Sequence, residues 1–381
     1  MFRINLAHIR DSSGLYGAEQ VILALAQHVD HKRFNFLLVC LQDKTGSAQP
    51  LIQRAKELGI QVEVVAVSSA FDGKAVKALR TILRDRAIHI LHTHAFKSTL
   101  FGMLSSINMS VKRVATAHGS IKHSLKIRTS LFLEEQILQY MFDRTIAVAE
   151  DIQVQLRRKG FREEQVRLIP NGIDLSLFDS QLPTVGKQDC RWVGKGAPVF
   201  GVVGRLVLDK GHVVFLNALS RIKQNHPKVH ALIVGSGPLR EEIQNEIRRL
   251  GLEESVALCG VRDDMPAIYR QIDCIVIPSL REGLPYVLLE AMANKIPVVA
   301  SRVGDIPRLI RHGETGFLVP PENVDELQKH MTMVLEHPDL STKLAESGYR
   351  LVREGFSATR MVNEVEEVYE SLMRGTSGPE V

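Results

Sequence analysis

Only four cysteines, Cys40, Cys190, Cys259 and Cys274, occur in the 381 residues, and no two of them form a Cys-x-x-Cys pair. Neither a zinc ribbon nor a disulfide framework is signalled, and a reducing cytoplasm is the expected compartment. No uncharged apolar run approaches the ~18 residues of a membrane-crossing helix. The opening residues, Met1 to His8, lack the basic start, long apolar stretch and small-residue cleavage site of a signal peptide, so none is expected. Gly 27 and Pro 15 are too few for a collagen-like or low-complexity chain. No internal repeat with a period of about 20–50 residues is present, which excludes solenoids and propellers.

What is there is an ordinary globular composition, 45% hydrophobic and 24% charged, long enough for two or three domains with cores of their own. The net charge of +5 is unevenly spread. Residues 1–181 hold 24 Lys+Arg against 17 Asp+Glu, and residues 182–381 hold 24 against 26. Between residues 72 and 130 the ratio is 11 basic to 2 acidic. Such a field favours an anionic partner: a phosphate-bearing substrate, lipid headgroups or nucleic acid.

Short runs rich in Val, Ile and Leu recur, each followed by a segment with helical spacing, as a parallel sheet covered on both faces requires. Strands are predicted over 4–8, 36–39, 62–65, 88–92, 113–117, 145–147 and 166–169, and again over 199–203, 230–234, 256–258, 274–277, 298–300 and 316–319. The fold class is therefore α/β, with two Rossmann-like doubly wound halves. Residues 180–198 lack periodic apolar positions and read as a linker, which sets the domains at 1–184 and 185–357. A helical stripe at Met361, Val365, Val368, Tyr369 and Leu372 predicts a last helix over 358–374.

In such sheets ligands sit beyond the carboxyl ends of the strands, so the loops there are the places to search. The loop over 10–17 brings Gly14 and Gly17 to a helix start, where backbone amides can meet an anion. The segment from Val203-Gly204-Arg205 to Asp209-Lys210-Gly211 delivers a planar guanidinium and a compact ammonium five residues apart, a pair suited to a diphosphate. Strongest is the loop Arg281-Glu282-Gly283-Leu284-Pro285, with Glu290 in the second turn of the helix that follows. One carboxylate can grip a ribose diol and the other sugar hydroxyls, with helix-start amides free for phosphate. Gly235-Ser236-Gly237 half-matches the dinucleotide fingerprint, but Arg240 stands at the third glycine, so it reads as a strand-to-helix turn. His92, His94 and His118 could together suggest a metal. No carboxylate or cysteine accompanies them at ligand spacing, so no metal is expected. His118 reads as a polar group at a strand end.

Taken together, Tyr16-Gly17-Ala18-Glu19, Thr116-Ala117-His118-Gly119, Ile169-Pro170-Asn171-Gly172, the Arg205 and Lys210 pair, and Glu282 with Glu290 resemble the retaining nucleotide-sugar glycosyltransferases of the two-Rossmann (GT-B) type, family 4. The resemblance covers nearly the whole chain, with Tyr16 standing where many relatives have a first glycine. It implies two sheets facing each other across a cleft, an N-terminal acceptor-binding domain and a C-terminal donor-binding one, with the last helix swung back onto the first. It implies that Arg205, Lys210 and amides around Gly17, Gly204, Gly283 and Leu284 bind the donor diphosphate, and that Glu290 takes the ribose. Glu282 takes the transferred sugar, His118 faces the anomeric centre, and the base lies against Val261 and Arg262. His118, Glu282, Arg205 and Lys210 are the expected catalytic set, and His94, Lys122 and Asn171 the expected acceptor side.

The chain has no Asp-x-Asp triplet, and the resemblance implies metal independence with no cofactor. The expected substrates are a nucleotide-sugar donor, a UDP-sugar ahead of a GDP-sugar, and an acceptor sugar that is lipid-linked. An anionic membrane surface near Lys122, Lys126 and Arg128 is an expected partner at the inner face of the membrane; nucleic acid is not. The competing readings are a nucleotide-sugar epimerase and a non-catalytic sugar-nucleotide binder.

Overall fold

A computed structural model describes residues 3–12, 14–69, 72–118, 125–179, 197–262 and 264–374, with the side chains of 125–132 excluded. The chain divides into two compact units, one of residues Met1–Gly172 with Ala358–Val381 and one of residues Ile173–Ser357.

The first unit is a seven-stranded parallel sheet ordered β3-β2-β1-β4-β5-β6-β7. Its strands are β1 (Ile4–Arg10), β2 (Phe34–Gln42), β3 (Gln61–Ala66), β4 (Ile90–His94), β5 (Lys112–Ala117), β6 (Arg144–Ala147) and β7 (Val166–Leu168). The second is a six-stranded sheet ordered β10-β9-β8-β11-β12-β13. It is built from β8 (Val199–Val203), β9 (His230–Val234), β10 (Val256–Gly260), β11 (Cys274–Ile277), β12 (Val298–Ser301) and β13 (Phe317–Val319). Each expected strand coincides with an observed one, and the central strands are apolar on both faces, while the edge strand β3 is largely exposed. Along β11, Cys274 and Val276 enter one core cluster while Ile275 and Ile277 enter the other, the period-two alternation of a sheet with helices on both sides.

In both sheets the chain winds outward from a central strand, crosses over and winds the other way. The reversal leaves a crevice beside the carboxyl ends of β1 and β4 in one unit and of β8 and β11 in the other.

The units part between Gly172 and Ile173 rather than near residue 185. Ile173 is 1% exposed within the second unit's core, and its N–H donates to the carbonyl of Phe356 at 2.8 Å. That anchoring assigns 173–179 to the second unit; residues 180–196 lie outside the described ones. The last helix, Ala358–Arg374, belongs to the first unit and packs on the helix Gly17–His28. Met361, Val365, Val368, Tyr369 and Leu372, the predicted stripe, are all buried, and Glu366 beside them accepts the Asp30 N–H at 2.7 Å. Cys40 and Cys274 are buried free thiols. Cys259 is disulfide-bonded, which the cysteine spacing does not signal.

Candidate functional site

In the second unit three loops leave the carboxyl ends of β8, β9 and β11 and are laced by backbone contacts. Gly204 donates to the carbonyl of Val234 and Leu206 to that of Ser236, both at 2.9 Å. Gly235 lies so close that a Cβ there would sit 1.9 Å from the carbonyl oxygen of Gly204, at a φ of +137°. The partial fingerprint glycine is thus spent on supporting the Arg205 loop. Gly211, at φ +65°, is equally forced: a Cβ would meet the carbonyl oxygen of Pro278 at 2.0 Å. Leu280 then donates to the carbonyl of Asp209 at 2.7 Å. On its other side the Glu282 loop receives the N–H of Asp305 on the Gly283 carbonyl at 3.1 Å.

This lacing brings Lys210 and Glu282, 72 residues apart in the chain, to a 2.5 Å ion pair. Ser279 adds a hydroxyl donated to the same Glu282 Oε1 at 2.7 Å. The Lys210 stem lies over Gly204, 3.5 Å from where a Cβ would stand. Arg205 is exposed, and among the described residues its guanidinium has no ion-pair partner. Lys210 is therefore held by a carboxylate, while Arg205 stays available.

Glu290 sits on the helix Tyr286–Ala293, which starts just after Pro285. Tyr269, 1% exposed, donates its hydroxyl to Glu290 Oε2 at 2.6 Å. Burial raises the Glu290 carboxyl to about 7, with the Tyr269 hydrogen bond opposing the rise. Leu284 points into the core, so only its backbone can serve a ligand. Val261 is 64% exposed beside the end of β10. Arg262 forms a two-pronged pair with Asp264, at 2.7 and 2.6 Å, which fixes the edge where the base is expected.

In the first unit, Gly17 opens the helix Gly17–His28 and Glu19, fully buried, organises the loop before it. Glu19 accepts from Arg10 Nε at 2.8 Å, Ser12 Oγ at 3.1 Å and the Tyr16 N–H at 3.0 Å. Arg10 in turn donates to the carbonyl of His94 at 2.8 Å, fixing a cation at the switch point. Tyr16, in place of a glycine, lays its ring over Gly14. His118 is half-buried just beyond β5; burial, and then the charge of Arg10, lower it to about 3. Burial also raises Asp11, and raises Glu134 to about 7, with Asp11 adding to the latter.

His94, expected on the acceptor side, is 0% exposed. Asn171 is 7% exposed, with a buried Oδ1 that has no partner. Lys122 lies outside the described residues, as do the side chains of Lys126 and Arg128. Sequence reasoning did not assign Arg10, Ser279, Tyr269, His8 or Tyr369. Ser279 stands three residues before Glu282, a local signal; the others are distant in sequence from the groups they hold.

Two family models cover most of the chain: Glycosyltransferase Family 4 over residues 16–177 and Glycosyl transferases group 1 over 193–351. The chain belongs to the glycosyltransferase family 4 group. An Escherichia coli enzyme named UDP-Gal:alpha-D-GlcNAc-diphosphoundecaprenol alpha-1,3-galactosyltransferase is 26% identical to this glycosyltransferase over 96% of this chain and 97% of its own. A Rhizobium leguminosarum lipopolysaccharide core biosynthesis mannosyltransferase is 28% identical over 57% and 63%. Among solved structures, HepE of Anabaena, described in complex with UDP and glucose, superposes with a TM-score of 0.84 at 23% identity, over 97% of this chain and all of that one. At that identity the likeness carries the GT-B fold class and no more.

Proposed function

We propose that this glycosyltransferase moves a sugar from a nucleoside diphosphate to an acceptor hydroxyl with retention at the anomeric carbon and without a bound metal ion. The observation that carries the reading is the Lys210–Glu282–Ser279 cluster beside exposed Arg205, with Glu290 one helix turn beyond, at the switch point of the second sheet. Arg205 and Lys210 bind the diphosphate, and Glu282 offers its Oε2 to a sugar hydroxyl while Oε1 steadies the lysine. Glu290 takes the ribose hydroxyls. Each charge-assisted hydrogen bond to phosphate contributes roughly 1.5–3 kcal/mol and a helix start about 0.3–2. Two cations and one helix end thus stabilise a leaving diphosphate by several kcal/mol, the service a divalent ion performs elsewhere.

The reaction passes through an oxocarbenium-like state. No carboxylate is assigned as a nucleophile, so the leaving group departs on the face the acceptor enters, and a phosphate oxygen takes the acceptor proton. His118 serves the anomeric centre. A UDP-sugar donor is supported by the UDP-Gal in the name of the Escherichia coli relative and the UDP held by the Anabaena neighbour. A lipid-linked acceptor is supported by the first of these and by the basic first half, which also suits an anionic inner membrane surface. Among the described residues no helix is long and apolar enough to cross a membrane.

The test is incubation with UDP- and GDP-sugars, with and without a lipid-linked acceptor and EDTA, following nucleotide release and the anomeric coupling in the product by NMR. Acceptor-dependent release that survives EDTA and gives the donor's anomeric configuration is expected. Inversion, loss of activity in EDTA, or isomerised donor without acceptor overturns the reading.

A further inference from the structure

On one face of the first sheet the register places three imidazoles in sequence, and His118 follows just beyond β5. His8 lies opposite His92 in the β1–β4 pair, His94 follows two residues along β4, and Thr116 of β5 lies opposite His94. Tyr369 reaches them from the last helix. The polar atoms form a single unbranched row. Thr116 Oγ1 is 2.7 Å from His92 Nε2, and His92 Nδ1 is 2.6 Å from the Tyr369 hydroxyl. That hydroxyl is 3.0 Å from His8 Nε2, and His8 Nδ1 is 3.0 Å from His94 Nε2. His94 Nδ1 is 3.3 Å from His118 Nε2. His8, His92 and His94 are 0–1% exposed and Thr116 is 7% exposed.

The ring geometry separates this row from a metal site. His8 and His94 have ring centres 5.2 Å apart, close to the nitrogen–nitrogen gap plus the two ring radii, with planes 24° apart. The same holds for His94 and His118, at 5.6 Å and 30°. Both pairs therefore meet edge to edge nearly in plane, as an N–H···N bond demands. His92 and His94, by contrast, stack at 4.4 Å and 20°, so their in-plane lone pairs run side by side; the ligating atoms of His8, His92 and His94 lie within 4.8 Å of one another, but the hydrogen bonds of the row already occupy them. The Tyr369 hydroxyl stands between His8 and His92.

Burial holds His8 at about 3 and drives His92 and His94 well below the usual histidine range, so the rings are neutral with one proton each. Six groups then supply six protons for five gaps, and only two uninterrupted proton orders exist. In one, every link donates away from Thr116 and the sixth proton sits on the outer nitrogen of His118, Nδ1. In the other, every link donates toward Thr116, whose own hydroxyl proton must find another acceptor. Among the described residues Thr116 Oγ1 has no second partner, and leaving a buried donor unpaired is costly. The first order therefore prevails.

We infer that His8, His92, His94, Tyr369 and Thr116 are positioning residues that lock His118 in its Nδ1–H tautomer, so that its outer edge presents a hydrogen-bond donor to an oxygen of the substrate. All four imidazoles are then Nδ1–H, the less common tautomer of a free imidazole. A dead end at a threonine hydroxyl makes the row a lock rather than a path for proton flow. The tautomer assignment stands on this geometry and on the burial that keeps the rings neutral; its consequence for turnover rests on the proposed role of His118.

The test uses the full-length protein with 15N-labelled histidine and two-bond 1H–15N correlation at neutral pH. Four Nδ1–H rings are expected; His118 as Nε2–H, as a mixture or as imidazolium overturns the inference, as does stoichiometric zinc bound to these rings. In Tyr369→Phe the proton offered to His8 Nε2 is lost, so both tautomers of His118 are expected, with kcat down several-fold and the donor KM unchanged. His94→Leu, which cuts the last link, is expected to do the same, and His94→Asn, whose amide can donate in place of Nδ1, to restore the single tautomer. An unchanged His118 signal in both Tyr369→Phe and His94→Leu overturns the lock. A changed signal with wild-type turnover leaves the lock standing and overturns the placing of His118 at the reaction centre.

Discussion

The substitution Glu290→Gln separates what burial costs from what binding gains. The carboxyl of Glu290 is raised from 4.5 to about 7, chiefly by burial. A carboxyl whose folded pKa lies above its unfolded value binds more protons when folded, so the wild-type protein loses stability as pH rises from 4.5 to 7, and the loss is complete above that range. The shift corresponds to an upper figure of about 3 kcal/mol. Gln keeps the acceptor for the Tyr269 hydroxyl, 2.6 Å away, and carries no charge to desolvate. The variant is therefore expected to melt at the same temperature as wild type near pH 4.5 and higher at pH 8, by up to about 6–12 °C for a domain of this size. Donor binding should move the other way, because Gln cannot accept the ribose diol as an anion: the KM for the nucleotide sugar should rise on the order of tenfold or more. Differential scanning calorimetry across pH, paired with donor titration at pH 8, reads both. A melting difference independent of pH refutes the burial argument, and an unchanged donor KM refutes the ribose role. A variant more stable and less able to bind is the signature of a site held under strain for function.

Arg205→Ala should lower turnover by on the order of 10²–10³ with little change in melting, since the side chain is exposed and pairs with no carboxylate among the described residues; unaltered kcat removes the electrostatic account of departure. Gly211→Ala forces a Cβ to within 2.0 Å of the Pro278 carbonyl at φ +65° and should cost at least about 2 kcal/mol of stability while parting Lys210 from Glu282. Wild-type melting and donor affinity in that variant would show that the lacing does not position the pair.

The strands were readable because their signal is local: a run apolar on both faces has one stable environment, a parallel sheet between helices. Arg205, Lys210, Glu282 and Glu290 were readable for a related reason, since the first three stand on loops after strands and Glu290 on the helix such a loop opens, where the fold class alone puts ligands. The unit boundary was not, because what assigns Ile173 to the second unit is its core and the Phe356 carbonyl, 183 residues away. Cys259, too, gave no hint in its spacing of a disulfide.

The amino-acid order thus determined, unaided, which stretches become strands, how many sheets they make and which loops carry chemistry, because periodicity and short-range residue chemistry act within a few residues. Only the folded chain decided the partnerships: that Lys210 rests on Glu282, that Tyr269 holds Glu290, and that Tyr369 of the stripe on the last helix bridges two histidines on different strands. Hydrogen bonds and buried charges depend on distance in space, and strand register and helix docking set those distances between residues that the chain itself keeps far apart.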